Sequence, residues 1–416
     1  MQIYLVGGAV RDRLLGLPPG ERDWVVVGAT PGDMAANGFK PVGRDFPVFL
    51  HPETKEEYAL ARTERKTAPG YHGFVFHADP GVTLEDDLRR RDLTVNAIAE
   101  DSAGALLDPY GGQRDIGSRV LRHVSPAFAE DPVRILRVAR FYSRFKPLGF
   151  HVAEETLALM RAMVADGEVD ALQPERVWQE TRRSLAQADP AAYFELLRDC
   201  GALARLFPEL DALFGVPQTA KHHPEIDTGV HVLMALTQAA HMQSPVEVIF
   251  AVLCHDFGKA LTPPAVLPHH YGHEARGVAL VRQFCERLRV PTDYRELALV
   301  ATQYHLLVHQ ALQLRPSTVV ELLERTRAFQ QPARFDQFLQ ACAADARGRL
   351  GLESREYPQA AYLREALDIA NTVSTDDILS AGISGKAVGE ALKKKRCEAL
   401  AAWHNRRKPG STADED

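Results

Sequence analysis

The sequence predicts an α+β fold, a small mixed sheet followed by a mostly α-helical remainder. Three observations carry that expectation. Up to about residue 110, short β-branched and aromatic runs recur between Gly and Pro, namely "IYLVGG", "DWVVVG", "PVFL", "EYALA" and "FVF", the texture of strands around a small sheet. After "DPYGGQRDI" (108–116) the chain turns to long segments rich in Ala, Leu, Arg and Glu, broken by Pro and Gly, which read as helices. At 416 residues it also exceeds one ordinary hydrophobic core, so roughly two to four modules are expected. A stretch with three prolines, "FPELDALFGVPQTAKHHPEIDTG" (207–229), reads as a hinge into another helical unit.

Composition excludes several classes. With 45% hydrophobic and 25% charged residues the chain reads as globular, neither disordered nor fibrous. The apolar run "VIFAVLC" is far short of the ~20 residues a membrane span needs, and "MQIYLVGGAV" has no basic n-region or cleavage site, so no membrane partner is expected. Five scattered cysteines without a CxxC point to a reducing cytoplasm and away from a disulfide frame or zinc ribbon. A net charge of −6 confines any nucleic-acid contact to local patches. These are "RILRVARFYSRFK" (134–146), "KKKR" (393–396) and "RRK" (406–408), and the C-terminal runs read equally well as solvated helix faces. The polar tail "KPGSTADED" is expected to fray.

The first constellation lies near the N-terminus. "LVGGAVRDRLLG" (5–16) reads as a strand, a Gly-Gly turn and a helix carrying Arg11 in its first turns. Gly7 and Gly8 permit close backbone approach, and a helix N-terminus offers free N–H groups to an anion. In the following strand, "PPGERDWVVVGAT" (18–30), Glu21 and Asp23 stand at i and i+2 and so project to one face. Two neighbouring carboxylates repel unless a cation lies between them, and Mg²⁺ is suited to that place beside substrate phosphates. Alone, the pair reads more readily as a solvated strand entrance.

"GGAVRDRLLG" and "ERDWVVVG", followed in order by "RRDLTVNA" (90–97), "DPYGG" (108–112) and "EDPVRILRVARF" (130–141), resemble the tRNA nucleotidyltransferases that add the CCA end, within the polymerase-β-like nucleotidyltransferase superfamily. The likeness covers essentially the whole chain and is closest to bacterial members carrying an added HD domain. It implies a nucleotidyltransferase head over 1–118 and a helical neck for nucleotide reading and RNA binding over 119–220. An HD phosphohydrolase domain over 228–330 and a helical tail over 331–416 would follow. The implied reaction is template-independent addition and repair of the 3′-terminal CCA of tRNA from CTP and ATP. It uses two Mg²⁺ ions, one at the RNA 3′-hydroxyl and one at the triphosphate and departing pyrophosphate. The family usually has Asp-x-Asp where this chain has Glu21 and Asp23, so the first ligand reaches one methylene further. Glu57 in "EEYALAR" is the expected third carboxylate, or else an edge-strand acid facing water. Gly8, Arg11 and Arg91 are expected at the nucleotide, although Arg91 could instead pair with Glu85, Asp86 or Asp87. A monomer or weak homo-oligomer is expected.

"EDPVRILRVARFYSRFK" reads as a helix capped by Asp131 with Pro132 in its first position. Arg134, Arg137, Arg140 and Arg144 then fall in one stripe beside Ile135, Val138, Ala139, Tyr142 and Phe145, at ~100° per residue. A solvated basic face is the plain reading. The resemblance gives the helix a task, because a carboxylate accepts and a guanidinium only donates. Cytosine and adenine both present an amino donor beside a ring-nitrogen acceptor, whereas uracil and guanine present a carbonyl beside a ring N–H. An Asp131–Arg134 pair therefore matches C and A, and a mismatch leaves polar groups unpaired at ~1–3 kcal/mol each. Arg137 and Arg140 are the expected phosphate contacts.

The third constellation is "EVIFAVLCHDFGKA" (247–260), an apolar helix ending on His255 and Asp256. Imidazole and carboxylate together are metal-ligand chemistry. By resemblance to the HD phosphohydrolases, His231 and a later acid, Asp345, complete a set for a divalent metal (Ni, Mn, Co or Mg) acting on 2′,3′-cyclic phosphates, 2′-nucleotides or simple phosphate esters. His269, His270, His273, His305 and His309 are further candidates for a second metal or a substrate phosphate. Two other readings keep similar head motifs: a poly(A)-type or A-only nucleotidyltransferase, and an RNA-binding protein with a degenerate site. The protein-modifying uridylyltransferases also join such a head to an HD domain, but this chain has no room for their sensing modules.

Overall fold

The structure, a computed structural model, describes residues 1–18, 20–42, 48–66, 74–77, 79–221, 223–380, 382–385 and 387–407. The tail "KPGSTADED" lies outside them. Two compact units divide the chain, Met1–Pro208 and Glu209–Asp416.

In the first unit β1 (Gln2–Val6), α1 (Gly8–Leu14), β2 (Asp23–Val27) and α2 (Pro31–Ala36) lead into β3 (Lys40–Val42), β4 (Val48–Leu50) and β5 (Glu57–Leu60). After the hairpin β6 (Thr63–Lys66) and β7 (Phe74–His77) come α3 (Leu84–Arg89), β8 (Ala99–Glu100) and β9 (Leu106–Leu107). The main sheet has seven strands in the order β3-β4-β5-β2-β1-β8-β9. Only β2 and β5 pair in parallel within it. The unbroken "WVVV" of β2 follows from burial on both faces. Val25 packs with Val6, Leu88 and Ala97 on one side, and Val26 packs with Met34, Phe49 and Leu60 on the other.

Helices take over through α4 (Gly112–Gly117), β10 (Val120–Leu121), α5 (Val133–Phe145) and β11 (His151–Val152). The unit continues with α6 (Glu154–Ala165), α7 (Pro174–Leu185), α8 (Pro190–Asp199) and α9 (Ala202–Leu206). Helix α5 buries Ile135, Leu136, Val138, Ala139 and Phe145. Its arginines tie it to α1 and to the segment after α3. Arg144 Nη2 donates to Asp12 Oδ2 at 2.9 Å, and Arg137 Nε to Asp92 Oδ2 at 2.7 Å. The Arg11 guanidinium lies over the rings of Phe141 and Phe145 at 5.2 and 5.0 Å. The "DPYGG" block is a cap: Asp108 accepts from the N–H groups of Gly112 and Gln113 at 2.7 and 2.8 Å, starting α4.

The short α10 (Pro208–Asp211) leads to α11 (Thr228–His241), α12 (Val246–Cys254), α13 (His273–Arg287), α14 (Thr292–His309), α15 (Pro316–Arg325) and α16 (Pro332–Arg347). The last three helices are α17 (Pro358–Asn371), α18 (Thr375–Ser380) and α19 (Ala387–Arg407). Helix α12 is apolar all round because it is the centre of this unit, with every residue from Val248 to Cys254 buried. Among the described residues no helix is long and apolar enough to cross a membrane.

Candidate active sites

Parallel pairing of β2 and β5 sets Asp23 opposite Glu57 in register, so the two carboxylates leave the same face side by side. Glu57 stands on an interior strand of the sheet, which corrects the edge-strand alternative. Glu21 precedes the first ladder residue, so strand alternation is not what directs it, a second correction. It still borders the same cavity of about 860 Å³ with Asp23, Glu57, Gly7 and Gly8. Burial raises the Asp23 carboxyl and Glu21 adds to that, against the opposing Arg91 guanidinium. Three acids placed where one is held partly against ionisation suit a hard divalent cation. Gly7 makes the turn into α1 at φ 72°, where a Cβ would sit 3.0 Å from Arg91 Nη1.

The opposite wall of the cavity is basic. Arg11, Arg91, Arg134, Arg137, Arg140 and Arg144 all line it, but few are free ends. Arg11 is buried, bonded through Nε to Asp12 Oδ1 at 2.9 Å and through Nη1 to Asn96 Oδ1. It borders the cavity as a pinned wall element rather than as a mobile side chain. Arg91 Nη2 contacts Asp87 Oδ2 at 3.2 Å, so one of its alternative partners is realised while it also faces the cavity. Burial opposes ionisation of Asp92, yet Arg137 and Asn96 overcome it and hold the carboxyl well below the usual range. Arg140 Nε donates to Glu180 Oε2 at 2.6 Å. The expected solvated basic face is therefore corrected: Arg134 is buried, and Arg137 and Arg140 carry carboxylate partners.

Asp131 and Arg134 both border the cavity. The helix starts one residue later than expected, with Pro132 as its N-cap. Asp131 Oδ1 still accepts from Val133 N–H at 3.0 Å. Its Oδ2 accepts from Arg176 Nη2 at 2.9 Å, and Arg134 Nη1 donates to Ala127 O at 2.7 Å. Sequence reading missed Asp92, Arg176 and Glu180, the partners that aim the stripe. The spacing of Arg176, Glu180 and Arg183 in "PERVWQETRR" was the available signal, since these residues share one helical face.

In the second unit His231 on α11, His255 and Asp256 after α12, and Asp345 on α16 come together, all buried. His231 Nε2 lies 3.1 Å from Asp345 Oδ1 and 3.8 Å from Asp256 Oδ2. His255 Nε2 lies 3.2 Å from Asp256 Oδ2 and 3.7 Å from Asp345 Oδ1. Burial works against a charged His255, but Asp256 and Asp345 overcome it and lift the imidazole to about 8. His255 Nε2 and the Asp256 oxygens are buried without a well-aligned hydrogen bond, and Asp256 Oδ2 is ion-paired with Lys259 Nζ at 2.7 Å. Imidazole and carboxylate atoms converging on one point suit a borderline divalent metal. A Cβ on Gly258 would sit 2.0 Å from His273 O, so only glycine lets α13 close against the turn after "HD". Of the further histidines, His309 Nε2 meets Asp345 Oδ2 at 2.6 Å, and His270 is bonded to Thr262 and to Pro217 O. His269 stacks on Tyr271 at 5.5 Å. Missed altogether was Glu225, whose Oε1 lies 3.1 Å from His231 Nδ1 and 2.9 Å from His223 Nδ1.

Three family descriptions match the chain. They are the poly A polymerase head domain over residues 3–122, a probable RNA and SrmB-binding site of polymerase A over 149–214, and the HD domain over 228–332. Both the head and the HD domain imply use of divalent metal ions. Among solved structures, the Bacillus stearothermophilus CCA-adding enzyme in complex with CTP is similar at a TM-score of 0.63 and 24% identity, over 97% of this chain and 93% of that one. The Thermotoga maritima CCA-adding enzyme complexed with tRNA-CCA gives 0.62 and 22%, over 100% and 88%. In sequence, the multifunctional CCA protein of Thioalkalivibrio sulfidiphilus is 63% identical over 400 residues, covering 96% of this chain and 98% of that one. That of Acinetobacter baumannii is 59% identical over 405 residues, covering 97% and 98%. With such likeness along nearly its whole length, the chain belongs to the multifunctional CCA protein family.

Proposed function

We propose that this chain adds and repairs the 3′-terminal CCA of tRNA from CTP and ATP, and that its HD site is a metal-dependent phosphohydrolase. The observation that carries the first part is the in-register Asp23–Glu57 pair facing an arginine-lined cavity that also holds Asp131 and Arg134. In this reading residues 1–118 are the head, 119–220 the neck, 228–330 the HD domain and 331–416 the tail, in a cytoplasmic monomer or weak homo-oligomer. Glu21, Asp23 and Glu57 would hold Mg²⁺, which supplies the positive charge that activates the RNA 3′-hydroxyl and offsets the departing pyrophosphate. The chain's own residues do the rest. Gly8 lets the triphosphate approach the backbone, and Arg11, Arg91, Arg137 and Arg140 set a positive wall at fixed positions, so little reorganisation is needed as charge develops. Asp131 accepts from the base amino group and Arg134 donates to the ring nitrogen, with Arg176 holding Asp131 in place.

His231, His255, Asp256 and Asp345 would hold the HD metal, which polarises a phosphate ester. Lys259 and Arg349 border the adjoining cavity of about 680 Å³ and attract an anionic substrate. A cyclic-phosphate end would be opened there before addition resumes, since extension needs free hydroxyls.

The deciding experiment offers tRNA ending at the discriminator base, with Mg²⁺ and each nucleoside triphosphate singly, then CTP with ATP. Two additions from CTP and a third only with ATP are expected. A long tail from ATP alone would favour the poly(A)-type reading, and no addition would leave an RNA-binding protein. For the HD part, tRNA ending in a cyclic phosphate should be cleaned and extended by the intact chain. A His255→Ala variant that repairs it equally well overturns the assignment.

A further inference from the structure

Two rings stand in the open beside the cavity of the second unit. Tyr271 is 72% exposed, the most exposed of the large apolar side chains among the described residues. Its ring stacks on the exposed ring of His269, with centroids 5.5 Å apart and planes 17° from parallel. Both residues border the cavity of about 680 Å³. A ring left in water forgoes the burial that ordinarily holds it in place, and here the backbone beneath the rings is fastened instead. His270 Nε2 donates to Pro217 O at 3.0 Å, so the neutral ring accepts from Thr262 Oγ1 through Nδ1 at 2.7 Å. His273 Nδ1 donates to His270 O at 2.7 Å, and Arg276 Nη1 donates to Tyr271 O at 2.8 Å.

The same cavity is marked for an anion. Lys259 and Arg349 bring positive charge to it, and His273, whose Nε2 lies 3.3 Å from Asp256 Oδ1, joins it to the buried cluster. Gln218 also borders it and is 4% exposed. An ammonium only donates, so Lys259 Nζ at 2.5 Å takes Gln218 Oε1 and leaves the amide Nε2 over. That Nε2 is buried with no hydrogen-bond partner, a donor in want of an acceptor. One cavity thus combines two cations and a spare N–H donor with a fixed aromatic platform. A phosphoryl group alone engages the first set and leaves the platform unused, whereas a nucleoside phosphate engages both.

We propose that Tyr271, backed by His269, is a nucleobase platform of the HD cavity. The base of a nucleoside 2′-phosphate or 2′,3′-cyclic phosphate stacks on it while the phosphoryl group meets Lys259, Arg349 and Gln218 Nε2. The proposal rests on the phosphohydrolase reading and narrows it from phosphate esters at large to esters that carry a base. Every base offers a π face, so the platform selects base-bearing over base-free esters and accepts all four bases.

The test uses the full chain loaded with Mn²⁺ and follows phosphate release from adenosine 2′-phosphate and from glycerol 2-phosphate. The parent is expected to favour adenosine 2′-phosphate in kcat/KM. Tyr271→Ala should raise the KM for that ester roughly tenfold with kcat little changed. It should leave glycerol 2-phosphate hydrolysis unaltered, and Tyr271→Phe should keep the parent's values. A KM unmoved by Tyr271→Ala, an equal rise for both esters, or a parent that favours glycerol 2-phosphate overturns the proposal. Photolabelling of the parent by 8-azidoadenosine 2′-phosphate gives a second readout that needs no turnover. The label is expected on the peptide carrying His269 and Tyr271 and should be removed by excess adenosine 2′-phosphate. Its absence from that peptide also overturns the proposal. If the parent hydrolyses neither ester, the phosphohydrolase reading falls and the labelled peptide alone decides on the platform. An unchanged melting temperature checks that Tyr271→Ala folds.

Discussion

In the head, Asp23 and Glu57 face an open cavity of about 860 Å³ from adjacent strands, whereas Asp256 and Asp345 are sealed among imidazoles inside a helical core. Backbone pairing positions the first set. Nδ1-to-carbonyl bonds and helix packing position the second. The arginines of the head are held by carboxylates, Asp92 and Glu180 among them. The clustered imidazoles and carboxylates of the second unit are themselves part of its core. Loss of an acid should therefore cost the head its chemistry but not its fold, and loss of metal should cost the helical unit stability as well.

Asp23→Ala tests the head side of that contrast most severely. Removing a ligand that supports several kcal/mol of transition-state charge stabilisation should lower nucleotide addition by ~10³-fold or more, with the melting temperature little changed. Glu21→Asp should retain most of the activity, because the carboxylate stays within reach of the same cavity. Strong addition by Asp23→Ala would remove the site assignment.

The helical unit should respond the other way. Saturating Mn²⁺ at 100 times its dissociation constant contributes about 2.7 kcal/mol, so chelator should lower the melting temperature of the parent by several degrees. His255→Ala should abolish that metal dependence together with phosphate-ester hydrolysis. A melting temperature indifferent to chelator would show that the cluster is satisfied without metal.

A smaller effect probes the scaffold of the head. Arg137→Met leaves Asp92 buried without its partner. A fully buried pair costs ~3–5 kcal/mol to break, and with the Arg137 side chain 37% exposed solvent screening reduces this to about 2 kcal/mol. The pH dependence has a definite sign. Asp92 is depressed, so its contribution is complete above about pH 4, the unfolded value, and fades as the pH falls through the folded one. Parent and variant should differ at neutral pH and converge in acid. Parallel unfolding curves at pH 3 and 7 would contradict the pairing.

The C-terminal run gives the smallest expected change. Lys393 is paired with Glu324 at 3.0 Å, and Arg396 lies over Phe329 at 3.7 Å. That leaves Lys394 and Lys395 as the exposed pair. Lys394→Glu with Lys395→Glu should weaken tRNA binding and flatten its salt dependence by roughly one or two phosphate contacts. An unchanged salt slope would assign the run to a solvated face.

What the sequence made legible was local. The apolar body of "DWVVVG" announced a strand, which the structure buries on both faces, and the i, i+3 spacing of Arg134, Arg137 and Arg140 announced one helical stripe. "HDFGK" at the end of an apolar run announced ligands fixed by a core helix. Such patterns survive in sequence because the period of a strand or helix repeats within a few residues. Tertiary structure alone decided that β5 lies parallel to β2 with Glu57 beside Asp23, and that Asp92 and Glu180 take up Arg137 and Arg140. It also decided that His273 and His305, on α13 and α14, meet Asp256 Oδ1. These partners are far apart along the chain and share no period. Each is fixed by strand register, by helix packing and by the requirement that buried charge find a partner.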